Sequence, residues 1–201
     1  MQFDFYKMLE KYTRDESIDE IVLIGHSLGG AIIANSLHTI EQLDTEKKIK
    51  KVQLLAPAVM KNPLLQIISN LPTLLFKNEG DKTESVEYAT NARLKRIGGP
   101  SALSSFFDFI ALIANAFRIL RAVFNSTRVF TMPLEIHYAE DDGLVSASNF
   151  KDLEAEKKSA PSENKNAVQV VSYARGRHHL HAGNSYNHIE LTKDTALVKT
   201  C

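Results

Sequence analysis

The chemically most distinctive segment is residues 25–30, Gly-His-Ser-Leu-Gly-Gly. An apolar strand pattern over 18–25 precedes its serine, and a helical pattern over 27–43 follows it. A serine hydroxyl is a poor nucleophile unless it is exposed and lies beside a base. A tight strand-to-helix turn exposes the hydroxyl, glycines leave room around it, and the helix N-terminus supplies N–H groups and a positive dipole end. The segment predicts that Ser27 is a nucleophile and that the Leu28 N–H faces a substrate oxyanion.

The elements around this segment indicate an α/β protein with a parallel sheet, because apolar strands alternate with helices. The expected strands are 18–25, 51–59, 133–146 and 167–174, and the expected helices include 3–14, 27–43, about 146–158 and about 190–199. Residues 60–130 break the alternation. They hold an apolar segment over 64–76 interrupted by Pro72, a polar connector over 77–95, and a long apolar helix that begins after Gly98-Gly99-Pro100.

The long helix is apolar around most of its circumference. Small and polar residues such as Ser104, Asp108 and Asn115 form one narrow stripe, and aromatic or aliphatic side chains such as Phe106 and Phe117 fill the rest. Such a helix buries several sides or faces an apolar ligand. Ordinary core packing and a lid over an apolar substrate both remain open at this point.

Composition narrows the class of protein. The 201 residues include 24 basic and 24 acidic side chains, without the basic excess typical of nucleic-acid binders. The single cysteine, Cys201, makes no internal disulfide, and charged residues from Asp4 to Lys11 interrupt any signal-peptide pattern. The most apolar stretch, 106–124, contains four polar or charged residues, which argues against a membrane span. We therefore expect a cytoplasmic protein.

The strand, the Gly-His-Ser-Leu-Gly-Gly turn and the helix together resemble the nucleophile elbow of the α/β-hydrolase superfamily. His-Tyr-Ala-Glu-Asp-Asp-Gly-Leu-Val-Ser, over 137–146, resembles the family's acid loop, and Ser-Tyr-Asn-His-Ile-Glu-Leu, over 185–191, resembles the histidine segment of bacterial true lipases. The resemblance implies a catalytic triad of Ser27, Asp142 and His188, with the Leu28 N–H as one oxyanion donor.

Several alternatives to this triad stay open. Asp141 is the second choice for the acid, and both acids also fit a solvated loop. His178 and His179 are second choices for the base, since they lie closer to the end of the last predicted strand. His179 and His181 flank one residue, as metal ligands can, but no carboxylate or thiolate partner stands at a recognisable spacing.

The resemblance also implies one domain, with a core of 1–59 and 131–201 and a helical cap or lid inserted over about 60–130. Caps at this place usually cover apolar acyl groups, so the resemblance implies a carboxylic ester hydrolase acting on a small-molecule ester or a lipid. Transient lipid contact through the cap fits this picture. The chemistry needs no metal and no organic cofactor.

The resemblance covers only the second half of the usual fold. The family has four earlier strands, one of which leads to a His-Gly turn with the second oxyanion donor, and residues 1–17 contain neither. We therefore expect a fragment or a misplaced start, and an exposed apolar edge at strand 20–24. The rival hypotheses are a non-catalytic interaction module with this half-fold and an acyltransferase or thioesterase that uses the same triad.

Overall fold

The computed structural model describes residues 2–76, 101–125, 132–160, 167–174 and 196–200, and side chains within 4–69, 106–125, 132–160 and 167–174. The helices and strands follow in chain order: α1 Gln2–Thr13, β1 Ile21–His26, α2 Leu28–Leu43, β2 Ile49–Leu55, α3 Pro63–Phe76, α4 Ser101–Asn125, β3 Leu134–Ala139, α5 Ala147–Ser159, β4 Val168–Tyr173 and β5 Ala196–Thr200. The predicted α/β class with a parallel sheet is confirmed.

The five described strands form one sheet in the order β4-β3-β2-β1-β5, and all four pairings are parallel. The helix expected over about 190–199 is wrong for its second half, because 196–200 is the strand β5. β5 lies against β1, with Ile21 opposite Ala196 and Gly25 opposite Thr200. The expectation that this side of β1 is an exposed edge is therefore also wrong, since β5 occupies it.

One face of the sheet carries the main hydrophobic core. Leu23, Val52, Leu134 and Val168 form a row across the four strands β1 to β4, because they are partners in the parallel register. All four side chains are buried, and helices α1, α2, α4 and α5 pack into the same cluster. Apolar strands flanked by helices are what a parallel sheet requires, since its strands lie in the interior.

The opposite face carries a polar network between β2, β3 and β4. The Glu135 carboxylate accepts hydrogen bonds from Gln53 Nε2 at 2.9 Å and forms an ion pair with Lys51 at 2.7 Å. Glu135 also contacts His137 Nε2 at 3.1 Å, and the other ring nitrogen of His137 lies 3.0 Å from the Tyr173 hydroxyl. His137 and Gln53 are only 5% and 2% exposed, so their hydrogen bonds to Glu135 satisfy buried polar atoms.

Burial and these contacts shift three pKa values within the network. Burial lowers the pKa of His137, although Glu135 opposes the shift. Burial alone would raise the pKa of Glu135, but the hydrogen bonds from Lys51, Gln53 and His137 outweigh it and lower that pKa. The pKa of Tyr173 is raised by burial and by the nearby Glu135 charge. The network therefore favours a neutral imidazole beside an ionised carboxylate.

The two helices that the structure describes between β2 and β3 differ in how they pack. The C-terminal half of α4 is part of the core through Ile113, Phe117, Leu120 and Phe124, as ordinary core packing predicts. Its start is different, because Phe107 is 57% exposed. In the N-terminal half of α3, three apolar side chains are 48–67% exposed. They are the adjacent Leu64 and Leu65, and Ile68 about one helical turn further along.

A side-chain amide pair attaches α4 to α2. Asn35 Nδ2 donates to the Leu112 carbonyl at 2.9 Å and to the Ala31 carbonyl at 2.8 Å. Asn115 Nδ2 in turn donates to Asn35 Oδ1 at 2.6 Å. These bonds fix where α4 lies on the helix that follows Ser27. Within the described part of the chain, no helix is long and apolar enough to cross a membrane.

Candidate active site

Ser27 lies at the sharp turn between β1 and α2, in a backbone conformation that is rare for any residue other than glycine. Its φ is 52° and its ψ is −117°. Positive φ values bring Cβ close to the following carbonyl, so a serine stays there only when its surroundings hold it. The Ser27 N–H donates to the Leu55 carbonyl at 3.0 Å, and its carbonyl accepts from the N–H groups of Ala58 and Ala31 at 2.8 and 3.1 Å. These three bonds fix the turn from both sides.

The turn is tight because two glycines touch within it. A Cβ added to Gly25 would lie 2.7 Å from Ile33 Cδ1 and 2.8 Å from the backbone of Gly30. A Cβ added to Gly30 would lie 2.8 Å from Pro57 Cβ and 3.0 Å from the Gly25 carbonyl oxygen. From the sequence, Gly25 and Gly29 are the glycines expected to leave room around Ser27; the structure adds Gly30 from the same segment. Together they let α2 begin directly against β1 and the exit of β2.

Leu28 is the first residue of α2, directly after Ser27. The first N–H groups of a helix have no partner within the helix and lie at its positive dipole end. The Leu28 N–H is thus one of the donors at this helix end, and its contact with a substrate oxyanion stays a prediction.

Asp142 lies three residues beyond the C-terminal end of β3 and is 8% exposed. Its Oδ1 accepts hydrogen bonds from the N–H groups of Leu144 at 2.8 Å and Val145 at 3.0 Å. Val145 is buried, and the Asp142 N–H donates to the Ala139 carbonyl at 3.3 Å, so the loop is held on both sides of Asp142. Asp141 is exposed to solvent. Of the two neighbouring acids, Asp142 is therefore the buried one, and its carboxylate is bonded to the backbone of its own loop.

The parallel strands bring Ser27 and Asp142 to the same end of the sheet, the end at which the C-termini of the strands lie. Both residues follow the C-terminal ends of their strands, and β2 lies between β1 and β3. Neighbouring strands are about 4.8 Å apart, so the two strand ends are about 10 Å apart. An imidazole can bridge such a gap. The predicted base His188 and its alternatives His178 and His179, together with His181, lie outside the described residues, so the triad stays a prediction.

The sequence has a clear family relationship. Residues 1–184 match the hydrolase family described as "Serine aminopeptidase, S33". The chain belongs to this family. Its members share the α/β-hydrolase fold, which confirms the resemblance drawn from the elbow and acid-loop motifs. No curated protein sequence matches the chain.

Solved structures with the same fold are distant in sequence. A putative hydrolase from Agrobacterium vitis is 16% identical with a TM-score of 0.50, and the alignment covers 92% of this chain and 63% of the hydrolase. A monoacylglycerol lipase from Paleococcus ferrophilus is 14% identical with a TM-score of 0.46, over 86% of this chain and 65% of the lipase. An esterase from Pyrococcus furiosus is 16% identical with a TM-score of 0.47, over 89% of this chain and 54% of the esterase. This chain thus spans less than two thirds of their length.

Proposed function

We propose that this α/β-hydrolase cleaves a carboxylic ester that carries an apolar acyl group, with Ser27 as the nucleophile. The observation that carries the proposal is the backbone of Ser27, held at φ 52° where β1 meets α2. Strain at a single residue that three backbone hydrogen bonds enforce is typical of functional sites. The turn places Ser27 at the C-terminal end of the parallel strands, the same end of the sheet at which Asp142 lies.

The proposed reaction follows the acyl-enzyme route. Ser27 Oγ attacks the ester carbonyl carbon while His188 takes its proton, and the Leu28 N–H stabilises the resulting oxyanion. The tetrahedral intermediate collapses, the C–O bond to the alcohol breaks, and His188 returns the proton to the leaving alcohol. Water then repeats both steps on the acyl-enzyme and releases the acid. Asp142 orients the imidazole and stabilises its charged form.

The apolar acyl group is proposed from the helices between β2 and β3. α3 contains no charged residue, and Asp108 is the only acidic residue of α4. The exposed side chains of Leu64, Leu65 and Ile68 offer apolar surface to an acyl chain or, transiently, to a lipid aggregate. Each methylene transferred from water to such a surface contributes about 0.8 kcal/mol.

The family description raises a second reaction, release of an amino-terminal residue from a peptide. That substrate carries an ammonium group, which needs a carboxylate partner when it leaves water. Among the described residues of α3 and α4 only Asp108 could serve, and its side chain is exposed. The ester is therefore the first substrate to test, with thioester cleavage and acyl transfer as further outcomes of the same assay.

The decisive experiment combines covalent labelling with turnover. A fluorophosphonate should modify the protein at Ser27, and the Ser27→Ala variant should lose both labelling and hydrolysis of p-nitrophenyl butyrate. An aminoacyl p-nitroanilide and an acyl thioester serve as competing substrates. Persistent labelling of the alanine variant would place the nucleophile elsewhere. A folded wild-type protein that neither labels nor turns over any substrate would favour the non-catalytic module.

Matched variants test the acid and the base. Asp142→Asn should lower kcat by orders of magnitude, whereas Asp141→Asn, one residue away and exposed, should change it less than about twofold. His188→Ala should likewise remove activity, while His178→Ala, His179→Ala and His181→Ala should keep it. Full activity of His188→Ala together with an inactive His179→Ala would move the base to His179.

A further inference from the structure

A pair of side-chain amides, one buried and one half-buried, joins the start of α3 to the start of α5. Asn149, 2% exposed, lies in the first turn of α5. Its Oδ1 accepts from Gln66 Nε2 at 3.0 Å, and its Nδ2 donates to Gln66 Oε1 at 3.0 Å, so the two primary amides form a closed ring of two hydrogen bonds. The Asn149 amide makes two more bonds, from the Lys61 N–H at 3.0 Å and to the Ser146 carbonyl at 3.1 Å.

The Ser146 carbonyl connects this pair to the loop that carries Asp142. It accepts from both the backbone N–H and the side chain of Asn149, at 3.0 and 3.1 Å. Ser146 directly follows Val145, whose N–H donates to Asp142 Oδ1. The backbone of Val145 and Ser146 thus links the two side chains, because its N–H at Val145 donates to the Asp142 carboxylate and its carbonyl at Ser146 accepts from the Asn149 amide.

We propose that Asn149 is a positioning residue for Asp142, and that Gln66 couples the position of α3 to the acid loop through it. The inference rests on the proposed function, in which Asp142 orients the catalytic imidazole. A buried amide that makes four hydrogen bonds has one allowed orientation, because every alternative leaves a buried donor or acceptor unsatisfied. The position of 61–66, where the chain leaves β2 for α3, then determines where the Ser146 carbonyl and the Asp142 loop lie.

A second link between the same two segments provides a matched control. Lys61 Nζ and Asp152 Oδ2 form an ion pair at 3.0 Å, but the two side chains are 56% and 48% exposed and neither contacts the Asp142 loop. Exposed ion pairs contribute little to stability. Asp152→Asn should therefore leave kcat and KM within about twofold of wild type.

The test measures kcat and KM on p-nitrophenyl butyrate from pH 5 to 9. Asn149→Ala should lower kcat on the order of 10- to 100-fold with KM nearly unchanged, because a small misplacement of a catalytic group has effects of this size. The acidic limb of kcat/KM should also move to lower pH, since a displaced carboxylate stabilises the protonated imidazole less. Gln66→Ala, which leaves two of the four bonds, should show the same changes on a smaller scale and serves if Asn149→Ala does not fold.

A double variant decides whether Asn149 acts through Asp142. Asn149→Ala should add almost nothing to the loss caused by Asp142→Asn, because the group it positions is already changed. Losses that multiply, or single variants that lose only thermal stability and keep the wild-type pH profile, would overturn the inference and leave Asn149 a structural residue. Activity that persists in Ser27→Ala would instead refute the proposed function, and the inference would fall with it.

Discussion

Replacing Ser27 by glycine and, separately, by alanine should measure the strain stored in the backbone of this residue. Both variants lose the hydroxyl and whatever contacts it makes, so they differ only in the methyl group and in the backbone. At φ 52° and ψ −117° glycine is relaxed and alanine is strained. The glycine variant should therefore be the more stable of two inactive proteins, the reverse of the order inside a helix.

The expected difference follows from two opposing terms. A non-glycine residue in a sparsely populated backbone region costs about 1–3 kcal/mol. Glycine loses about 0.5–1 kcal/mol relative to alanine, because it has more conformational freedom to lose on folding. The net advantage of Ser27→Gly over Ser27→Ala is thus on the order of 1 kcal/mol. For a chain of this length that corresponds to a melting temperature about 2–4 °C higher.

Ser36, in the helix α2 that follows Ser27, is the matched control. It is fully buried, and its hydroxyl contacts the Tyr6 hydroxyl at 3.1 Å and the Ile32 carbonyl at 2.8 Å, contacts that both replacements remove equally. Its backbone is helical, so glycine should be about 1 kcal/mol worse than alanine there, and more with the lost methyl contact. Thermal unfolding of the four variants by circular dichroism gives both differences. If Ser27→Gly melts below Ser27→Ala by as much as the Ser36 pair differs, the elbow stores no strain and the reasoning fails.

Three further outcomes are expected. Gly30→Ala should destabilise the fold by about 1–3 kcal/mol in urea unfolding, because its Cβ would lie 2.8 Å from Pro57 Cβ; an unchanged midpoint would contradict the contact. Burial lowers the pKa of His137 in the folded protein. As pH falls below about 6.5, the unfolded chain therefore takes up a proton at this imidazole before the folded protein does. The free energy of unfolding then decreases by at most about 1.4 kcal/mol per pH unit. His137→Gln should flatten the pH dependence of the melting temperature between pH 7 and 5, and equal slopes would refute this. Leu65 is 67% exposed, so Leu65→Ser should leave the stability of the fold unchanged. The variant should hydrolyse long-chain esters more slowly and bind phosphatidylcholine vesicles more weakly, while its activity on acetate esters stays the same. Equal loss of activity on both ester classes would show that this surface does not select the acyl chain.

The sequence predicts the elbow and the acid loop well because their signals are local. A strand, a Gly-rich turn and a helix stand next to one another around Ser27, and Asp142 lies only three residues after the end of β3. The strand β5 has no such signal, since a run of five residues is too short for periodicity to separate strand from helix. What selects the strand there is the open side of β1, a partner more than 170 residues away. The bond between Gln66 and Asn149 spans 83 residues and is equally invisible to local patterns.

The exit of β2 connects Ser27 to the strand that leads to the Asp142 loop. Leu55 accepts a hydrogen bond from the Ser27 N–H, and the next residue, Ala56, donates to the His137 carbonyl of β3 at 2.7 Å. Ala56 is fully buried and is itself held at φ 40°, so a second strained residue lies between the two strands. Ser27 and Ala56 keep these unfavourable backbone conformations only if the surrounding sheet is rigid. The spacing between Ser27 and the acid loop is therefore set by the strands, while the surface that would select a substrate lies on helices outside the sheet.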